Sequence, residues 1–226
     1  MEISVQGTHE ETVQPEIGRL HAGVQAEASD KGEVLRTVTS VVQRLRAELD
    51  RLKEAGGVDE IVVRPITTSS WRPIVKGRQV NPIFRARATV QADFTDFAAL
   101  ADLAAQLGAT EGLELDYVEW RLTEATRREL EAVCLTKAVE LARDRAVAMA
   151  AAAGAGEVTF VQLADPGLLG DSPSVRQSLR NPRMAAPMSA MMRGAKMADD
   201  QLAGIELQPE DLTVSATVQA RLTAAQ

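Results

Sequence analysis

Residues 15–28, PEIGRLHAGVQAEA, decide the fold because apolar and polar side chains alternate along them. Leu20 and Val24 fall on one face of an extended chain, whereas Arg19 and His21 fall on the other. A period of two with one apolar face is typical of a half-buried strand. The stretch therefore predicts a sheet with one face in the core and one face toward solvent.

The residues that follow this strand change to a helical period and predict a helix over residues 31–54. Asp30, followed three residues later by Glu33, fits the start of a helix, and Gly56-Gly57 fits its end. A helix laid across a sheet buries one face of each element. Its predicted apolar stripe consists of Val34, Leu35, Val38, Val41, Val42, Leu45, Leu49 and Leu52.

Two more strands are predicted beyond this helix, at residues 60–68 and 82–92. Pro65 cannot donate a hydrogen bond to a strand ladder, so the first of them is expected to lie at an edge or to contain a bulge. Residues 69–82 are interpreted as a long connection, in which Trp71 is either a contact residue or folded over the sheet edge.

A similar order of elements recurs in the second half, so the sequence predicts an α+β fold built from two βαββ units. These units are expected to form a mainly antiparallel sheet with helices packed on one side. Unit one spans about residues 15–93, a linking helix residues 94–108 and unit two about residues 112–222, with residues 2–7 as an extra strand. Unit two is predicted as strand 112–122, helix 124–153, strand 157–164 and strand 211–222.

The helix predicted at residues 124–153 is rich in alanine, whose small side chain allows close approach to a sheet or another helix. The chain has a single cysteine, Cys134, which excludes an internal disulfide and is interpreted as a buried structural thiol. The residues assigned to its helical spacing are Leu130, Val133, Cys134, Lys137, Ala138, Leu141, Ala142, Arg145, Ala148 and Met149.

The two histidines are interpreted as non-catalytic. Residues 8–14, which contain His9, are polar and predict a solvated turn rather than a metal site. His21, on the polar face of its strand, is interpreted as a surface or interface histidine.

Residues 165–203 differ from the rest because they combine prolines and glycines with methionines and basic side chains. An acidic chain thus carries one basic, methionine-rich irregular insert before its last strand. Two interpretations stay open, disorder or an ordered contact with another copy or a protein partner, and a membrane-surface contact is a third. The candidate contact residues are Trp71, Arg72, Arg176, Arg180, Arg183, Met184, Met188, Met191, Met192 and Arg193.

The composition excludes several classes of function. The formal net charge of −7 argues against nucleic-acid binding, and no run approaches the roughly 18 apolar residues that span a bilayer. Without a glycine-rich phosphate loop, a metal-spaced His/Cys set or a nucleophile elbow, neither a cofactor nor an enzymatic activity is predicted. Because Glu2 already opens a strand-like stretch, no signal peptide and a cytoplasmic location are expected; a leader removed before Met1 would instead imply a periplasmic or envelope location.

Three stretches of the chain resemble the SIMPL-domain family, also called DUF541. Residues 3–20 contain ISVQGT and then VQPEIGRL, which resemble the family's V-x-G-x-G-x strand and V-x-P-D-x-A; His9 replaces the second glycine and Glu16 the aspartate. Residues 137–146, KAVELARDRA, resemble its K-A-x-x-D-A-R-x-K-A stretch. Residues 208–218, QPEDLTVSATV, resemble its P-G-E-x-x-V-x-A-x-V ending, without the glycine.

The resemblance implies one SIMPL-like domain over residues 1–226. The family has no established catalytic residues; its bacterial members include envelope-associated proteins, some of which form ring-like oligomers, and an animal member associates with a signalling kinase. The resemblance therefore implies a non-enzymatic, self-assembling scaffold that oligomerises through strand edges and the insert. The alternative is a partner-binding adaptor that acts through residues 165–203, and the third hypothesis is an enzyme.

Overall fold

The structure, a computed structural model, describes residues 1–75, 78–79, 81–108, 110, 112–169 and 207–225, which form two compact units. The central unit comprises residues 14–123 and 207–212 of the described part, and the remaining described residues form the terminal unit. The elements are β1 (Glu2–Val13), β2 (Ile17–Ala28), α1 (Lys31–Glu54), β3 (Val58–Val63), β4 (Thr67–Trp71), β5 (Ile74–Val75), β6 (Arg78–Gln79), β7 (Ile83–Phe94), α2 (Phe97–Gly108), β8 (Leu113–Arg121), α3 (Glu124–Ala152), β9 (Val158–Ala164) and β10 (Leu212–Ala224).

The central unit is an antiparallel sheet whose apolar face is covered by α1 and α2. The strands lie in the order β3-β7-β2-β8, and β4 also pairs with β7. Leu20 of β2 lies opposite Ala92 of β7 and Val118 of β8, so the alternation read from the sequence sets the core face of three strands. The fully buried residues there include Leu20, Ala22, Val24, Ala86, Val90, Phe94 and Leu100.

Helix α1 is positioned by its cap and its apolar stripe. The Asp30 carboxylate accepts a hydrogen bond from the backbone N–H of Glu33 at 2.7 Å, which confirms the predicted start. The stripe predicted for this helix is also confirmed, since its buried residues are Val34, Val38, Val41, Leu45 and Leu49.

The terminal unit is a three-stranded sheet in the order β1-β10-β9, with α3 packed on it. Hydroxyl pairs such as Thr8–Thr217 at 3.1 Å join β1 to β10 on the polar side. The sheet residues in the core are Ile3, Val5, Val218, Ala220, Leu222 and Ala224. The helix contributes one residue in every four, namely Cys134, Ala138, Ala142, Ala146 and Ala150.

Gly7 explains why the buried side of α3 is made of small side chains. A Cβ atom at Gly7 would lie 2.0 Å from the backbone oxygen of Ala138 and 2.7 Å from the backbone nitrogen of Ala142. The strand and the helix therefore touch backbone to backbone, which only glycine on one side and alanine on the other permit. Leu141 and Met149, which the sequence assigned to the helical spacing, are 44% and 48% exposed and lie outside the buried side of the helix.

The predicted α+β class with antiparallel strands is confirmed, but the long strands form two separate sheets in place of one, and β5 and β6 pair with each other. Residues 112–122 had been assigned to the second unit; β8 instead pairs with β2 in the central unit. The strand predicted as an extra, β1, joins α3, β9 and β10 in the terminal unit. The register explains the first change, because Leu115 and Val118 extend the apolar face of β2 by one more strand.

Two local predictions are also corrected. Residues 8–13 continue β1 and do not form a turn, because their threonines pair across the sheet, as Thr12 does with Thr213 at 3.5 Å. The strand predicted at residues 60–68 is divided into β3 and β4 around Pro65, which lacks the N–H that a continuous ladder requires. Much of the predicted connection 69–82 consists of the short strands β4, β5 and β6.

Candidate functional site

The most organised set of ionisable side chains lies on the polar face of the central sheet. We name it the charged face and define it by Arg19, His21, Gln91, Asp93, Tyr117, Glu119 and Arg121. The alternation of β2, β7 and β8 directs these side chains away from the helices, since their neighbours in sequence lie in the core. The pairing of His21 with Gln91 and Tyr117 across the strands brings the middle of this face together.

An ion pair anchors one end of the charged face. Arg19 Nε and Nη2 donate to the two carboxylate oxygens of Asp93 at 2.5 and 2.7 Å, and Asp93 is only 7% exposed. The hydrogen bond to Asp93 raises the pKa of Arg19 above its ordinary value, although burial of the guanidinium opposes this. Arg121 Nη1 lies 4.0 Å from Asp93, and Glu60 lies 3.6 Å from Arg19. The buried carboxylate thus has two cations beside it.

His21 occupies the middle of the charged face and is 7% exposed. Its ring stacks on Tyr117 with a centroid distance of 4.2 Å and an interplanar angle of 16°. Nδ1 lies 3.0 Å from Gln91 Nε2, which can only donate, so the neutral ring carries its proton on Nε2. Nε2 in turn lies 3.5 Å from a carboxylate oxygen of Glu119.

This geometry leaves little room for acid–base chemistry at His21. A general base needs a ring nitrogen within hydrogen-bond reach of a substrate proton. Here Nδ1 accepts from Gln91, while Nε2 faces Glu119 beneath the stacked ring of Tyr117. The arrangement holds three strands together through side chains. The sequence had placed His21 on the polar face, but its burial was missed because Tyr117, which covers it, comes from a strand assigned to the other unit.

The contact residues predicted from the sequence are only partly within the described residues. Trp71 ends β4 and is 49% exposed, and Arg72 beside it is also exposed. Arg176, Arg180, Arg183, Met184, Met188, Met191, Met192 and Arg193 lie outside the described residues.

The predictions for Cys134 and His9 have clear outcomes. Cys134 is fully buried, and its Sγ donates to the backbone oxygen of Val214 at 3.4 Å, so the predicted buried thiol is confirmed. His9 Nε2 lies 2.9 Å from Glu11 Oε1 on strand β1, where the sequence had predicted a turn. Among the described residues, no three His, Cys, Asp or Glu side chains are grouped as metal ligands.

The terminal unit exposes apolar side chains on its outer strand. β9 pairs with β10 on one side only, within the part of the chain that the structure describes. Phe160, Val161 and Leu163 are 38%, 59% and 49% exposed, and no residue of this strand is buried. This surface, which we name the β9 edge, consists of residues Val158–Ala164.

A large groove in the same unit has a mixed polar and apolar lining. It encloses about 1080 Å³ and lies along β1, β10 and α3. Its lining residues include Ser4, Gln6, Thr8, Asp144, Arg145, Gln219 and Arg221. None of the described helices is long and apolar enough to cross a bilayer.

The fold and these surfaces define a two-unit α+β protein. Its charged face is held by ion pairs and by the Gln91 hydrogen bond, with His21 Nε2 buried and without a hydrogen bond among the described residues. Its β9 edge pairs on one side only in the part of the chain that the structure describes. The chain belongs to the SIMPL family, described as a protein of unknown function (DUF541), which matches residues 3–222. No curated protein matches the chain. The resemblance seen in the sequence is thus confirmed, and the match covers both units.

Proposed function

We propose that this protein is a non-enzymatic scaffold that assembles with copies of itself, and that the β9 edge is its principal contact. The observation that carries the proposal is an outer strand with apolar, exposed side chains. An edge strand presents unpaired backbone N–H and C=O groups and acts as a template for a further strand. A second copy of β9 would satisfy those groups and cover Phe160, Val161 and Leu163.

The outer strands β3 and β8 carry charges that discourage such pairing, whereas β9 does not. The outer strand β4 is also uncharged, but its residues TTSSW are mostly hydroxyl-bearing and not apolar. The sequence of β9, VTFVQLA, has neither a charged residue nor a proline. In contrast, β3 carries Asp59 and Glu60, and β8 carries Glu114 and Asp116. Charged side chains on an edge are a common protection against association. The absence of charged side chains from β9 supports the proposal that a strand of another copy covers it.

The charged face supports a role without catalysis. Its two buried ionisable residues, His21 and Asp93, are held by Gln91 and Arg19 respectively. Catalytic groups must instead be available to a substrate. The charged face fits a rigid support for the sheet better than a reaction centre.

The test is the molar mass in solution of the wild type and of Val161→Lys, measured by light scattering coupled to size exclusion. We expect the wild type to assemble and the variant to dissociate, because a lysine on the edge leaves a charge unpaired at the contact. Ile74→Lys is the matched control, since Ile74 is 70% exposed on β5. A monomeric wild type at high concentration, or equal masses of the two variants, would contradict the proposal.

A partner-binding adaptor that acts through residues 165–203 is the second candidate, supported by the basic and methionine-rich composition of that insert. Deletion of residues 171–205 separates the candidates. An adaptor would lose its captured partner while Val161→Lys keeps it. A scaffold that uses the β9 edge alone would keep its molar mass after the deletion.

A further inference from the structure

The central unit contains a second feature that neither self-assembly nor the charged face uses. A groove of about 700 Å³ lies between α1 and the end of β2, and a smaller one of about 250 Å³ continues between α1 and α2. Both are lined by Val41, Arg44 and Thr110, so we treat them as one and name it the α1 groove. Its apolar lining includes Ala26, Ala28, Val34, Val38, Leu45, Leu103 and Leu107.

One wall of the α1 groove is the end of a strand. The ladder between β2 and β8 ends where Val24 faces Leu113, after which Gln25 N–H donates to the oxygen of Gly112 at 2.9 Å. β2 continues to Ala28 and pairs there only with β7, as far as the described residues show. Alternate residues of a strand direct their backbone groups to the same side, so Glu27 directs its N–H and C=O to the same side as Gln25.

The other wall, α1, carries two charges that the fold does not use. Arg44 has no ion-pair partner among the described residues, whereas Arg46 lies 2.9 Å from Asp50 and Arg51 lies 3.1 Å from Glu48. The Glu33 carboxylate also has no ion pair within the described chain; Glu27, across the groove, is paired with Arg85. A free carboxylate and a free guanidinium thus line the same groove.

The spacing of these charges suits an extended chain. Glu33 and Arg44 are eleven residues apart on α1, which is roughly 16 Å at 1.5 Å per residue. About five residues of a strand cover the same length at 3.3 Å each. A segment antiparallel to β2 would begin near Glu33, beside the start of α1, and run toward Arg44. The amino terminus of the segment would then lie near the Glu33 carboxylate, and its carboxyl terminus near the Arg44 guanidinium.

We propose that the α1 groove binds a short extended peptide, which adds to β2 as an antiparallel strand. Backbone hydrogen bonds to Glu27 supply affinity, and alternate apolar side chains of the peptide contact the half-buried Ala26 and Ala28. Glu33 and Arg44 fix the direction of the peptide through charge. The site belongs to the central unit and the β9 edge to the terminal unit, so the binding proposal does not depend on self-assembly.

The experiment uses the peptide Val-Thr-Val-Thr-Val with free termini and follows backbone amide shifts of the full-length protein by NMR. We expect shifts at Gln25–Ala28 and along the start of α1. Arg44→Gln and Glu33→Gln should each weaken binding by about fivefold to tenfold, since each removes one charge-assisted contact. The matched control is Arg46→Gln, which lies on the same helix outside the groove and should bind as the wild type does.

Capped peptide and an amphiphilic anion complete the test. The same peptide with acetylated and amidated ends should bind to the wild type as weakly as the free peptide binds to a variant that combines Glu33→Gln with Arg44→Gln. Equal binding of free and capped peptide, or shifts outside the groove, would overturn the proposal. A third outcome is that sodium decanoate binds in a way that depends on Arg44 but not on Glu33, while the peptide does not bind. The groove would then be a site for an amphiphilic anion, and the peptide proposal would be overturned.

Discussion

The two helices that cover the two sheets bury opposite kinds of side chain. α1 buries three valines and two leucines, whereas α3 buries one cysteine and four alanines. On α3 the large apolar residues point outward, and Leu141 is 44% exposed. Large apolar side chains packed between helix and sheet therefore stabilise the central unit. In the terminal unit, the backbone of α3 instead packs directly against the backbone of β1.

The difference teaches that the two units respond to opposite changes. Burial of a valine or leucine side chain contributes about 1.5–3 kcal/mol, so the central unit loses most when volume is removed. Ala138 and Ala142 contribute little by area but allow Gly7 to approach the helix backbone. The terminal unit should lose most when volume is added.

The largest effect is expected from Gly7→Ala. Its Cβ would lie 2.0 Å from the oxygen of Ala138, a backbone atom that cannot move alone. We expect the terminal unit to lose about 3 kcal/mol or more of its free energy of unfolding. Hydrogen exchange should show reduced protection in β1 and α3. The control is Gly108→Ala, where no atom of the described residues lies within 4 Å of the added Cβ and stability should change by at most about 1 kcal/mol.

The next effect compares the same substitution on the two helices. Leu49→Ala removes a fully buried side chain from α1 and should destabilise the central unit by about 2–5 kcal/mol. Leu141→Ala removes an exposed side chain from α3 and should change stability by about 0.5 kcal/mol or less. Urea unfolding of both variants measures this. Equal losses would refute the proposed contrast between the cores.

A smaller effect is expected on the charged face of the central sheet. Asp93→Asn removes the carboxylate that Arg19 contacts at 2.5 Å and should cost about 1–3 kcal/mol. Asp116→Asn is the control, because Asp116 lies 3.4 Å from Arg87 in a more exposed position and should cost about 0–1 kcal/mol. Thermal unfolding at neutral pH gives both values, and a reversed order would show that the ion pair does not stabilise the sheet.

The smallest effect concerns the start of α3. A hydrogen bond from Arg127 lowers the pKa of Glu124 below its ordinary value of 4.5. Because the folded-state pKa is the lower one, the stabilisation is complete above pH 4.5 and is lost as the pH falls through the folded-state pKa. Wild type and Glu124→Gln should therefore differ at pH 6 and converge in acid, as measured by amide exchange in the first turn of α3. A difference that is independent of pH would contradict this origin.

The sequence predicts the central unit well because its signals are local. The alternation of β2 and the stripe of α1 each report burial through side-chain size, and both agree with the structure at Leu20 and Leu49. Applied to α3, the same reasoning by side-chain size favours burial of Leu141 over burial of Ala142, although the helix buries Ala142. Burial there depends on Gly7, which is distant in sequence and has no side chain to signal it. The repeat of small residues at every fourth position from Cys134 was the one available signal.

The order of strands was harder to derive, since it depends on pairing between distant segments. β8 follows α2 in the chain, and similarity of order assigned it to the second unit. Its place beside β2 follows from a register that matches Val118 to Leu20, which no local pattern encodes. The charged face was missed for the same reason: Tyr117 and Glu119 reach His21 only through that pairing.

The pairing of Thr8 with Thr217, 209 residues apart, has a consequence for synthesis on the ribosome. β1 is translated well before its sheet partner β10. The central unit, apart from residues 207–212, is encoded between them and can assemble while the chain is still growing. The terminal unit can form only after β10 has been translated, and until then β1 needs protection from early, wrong partners.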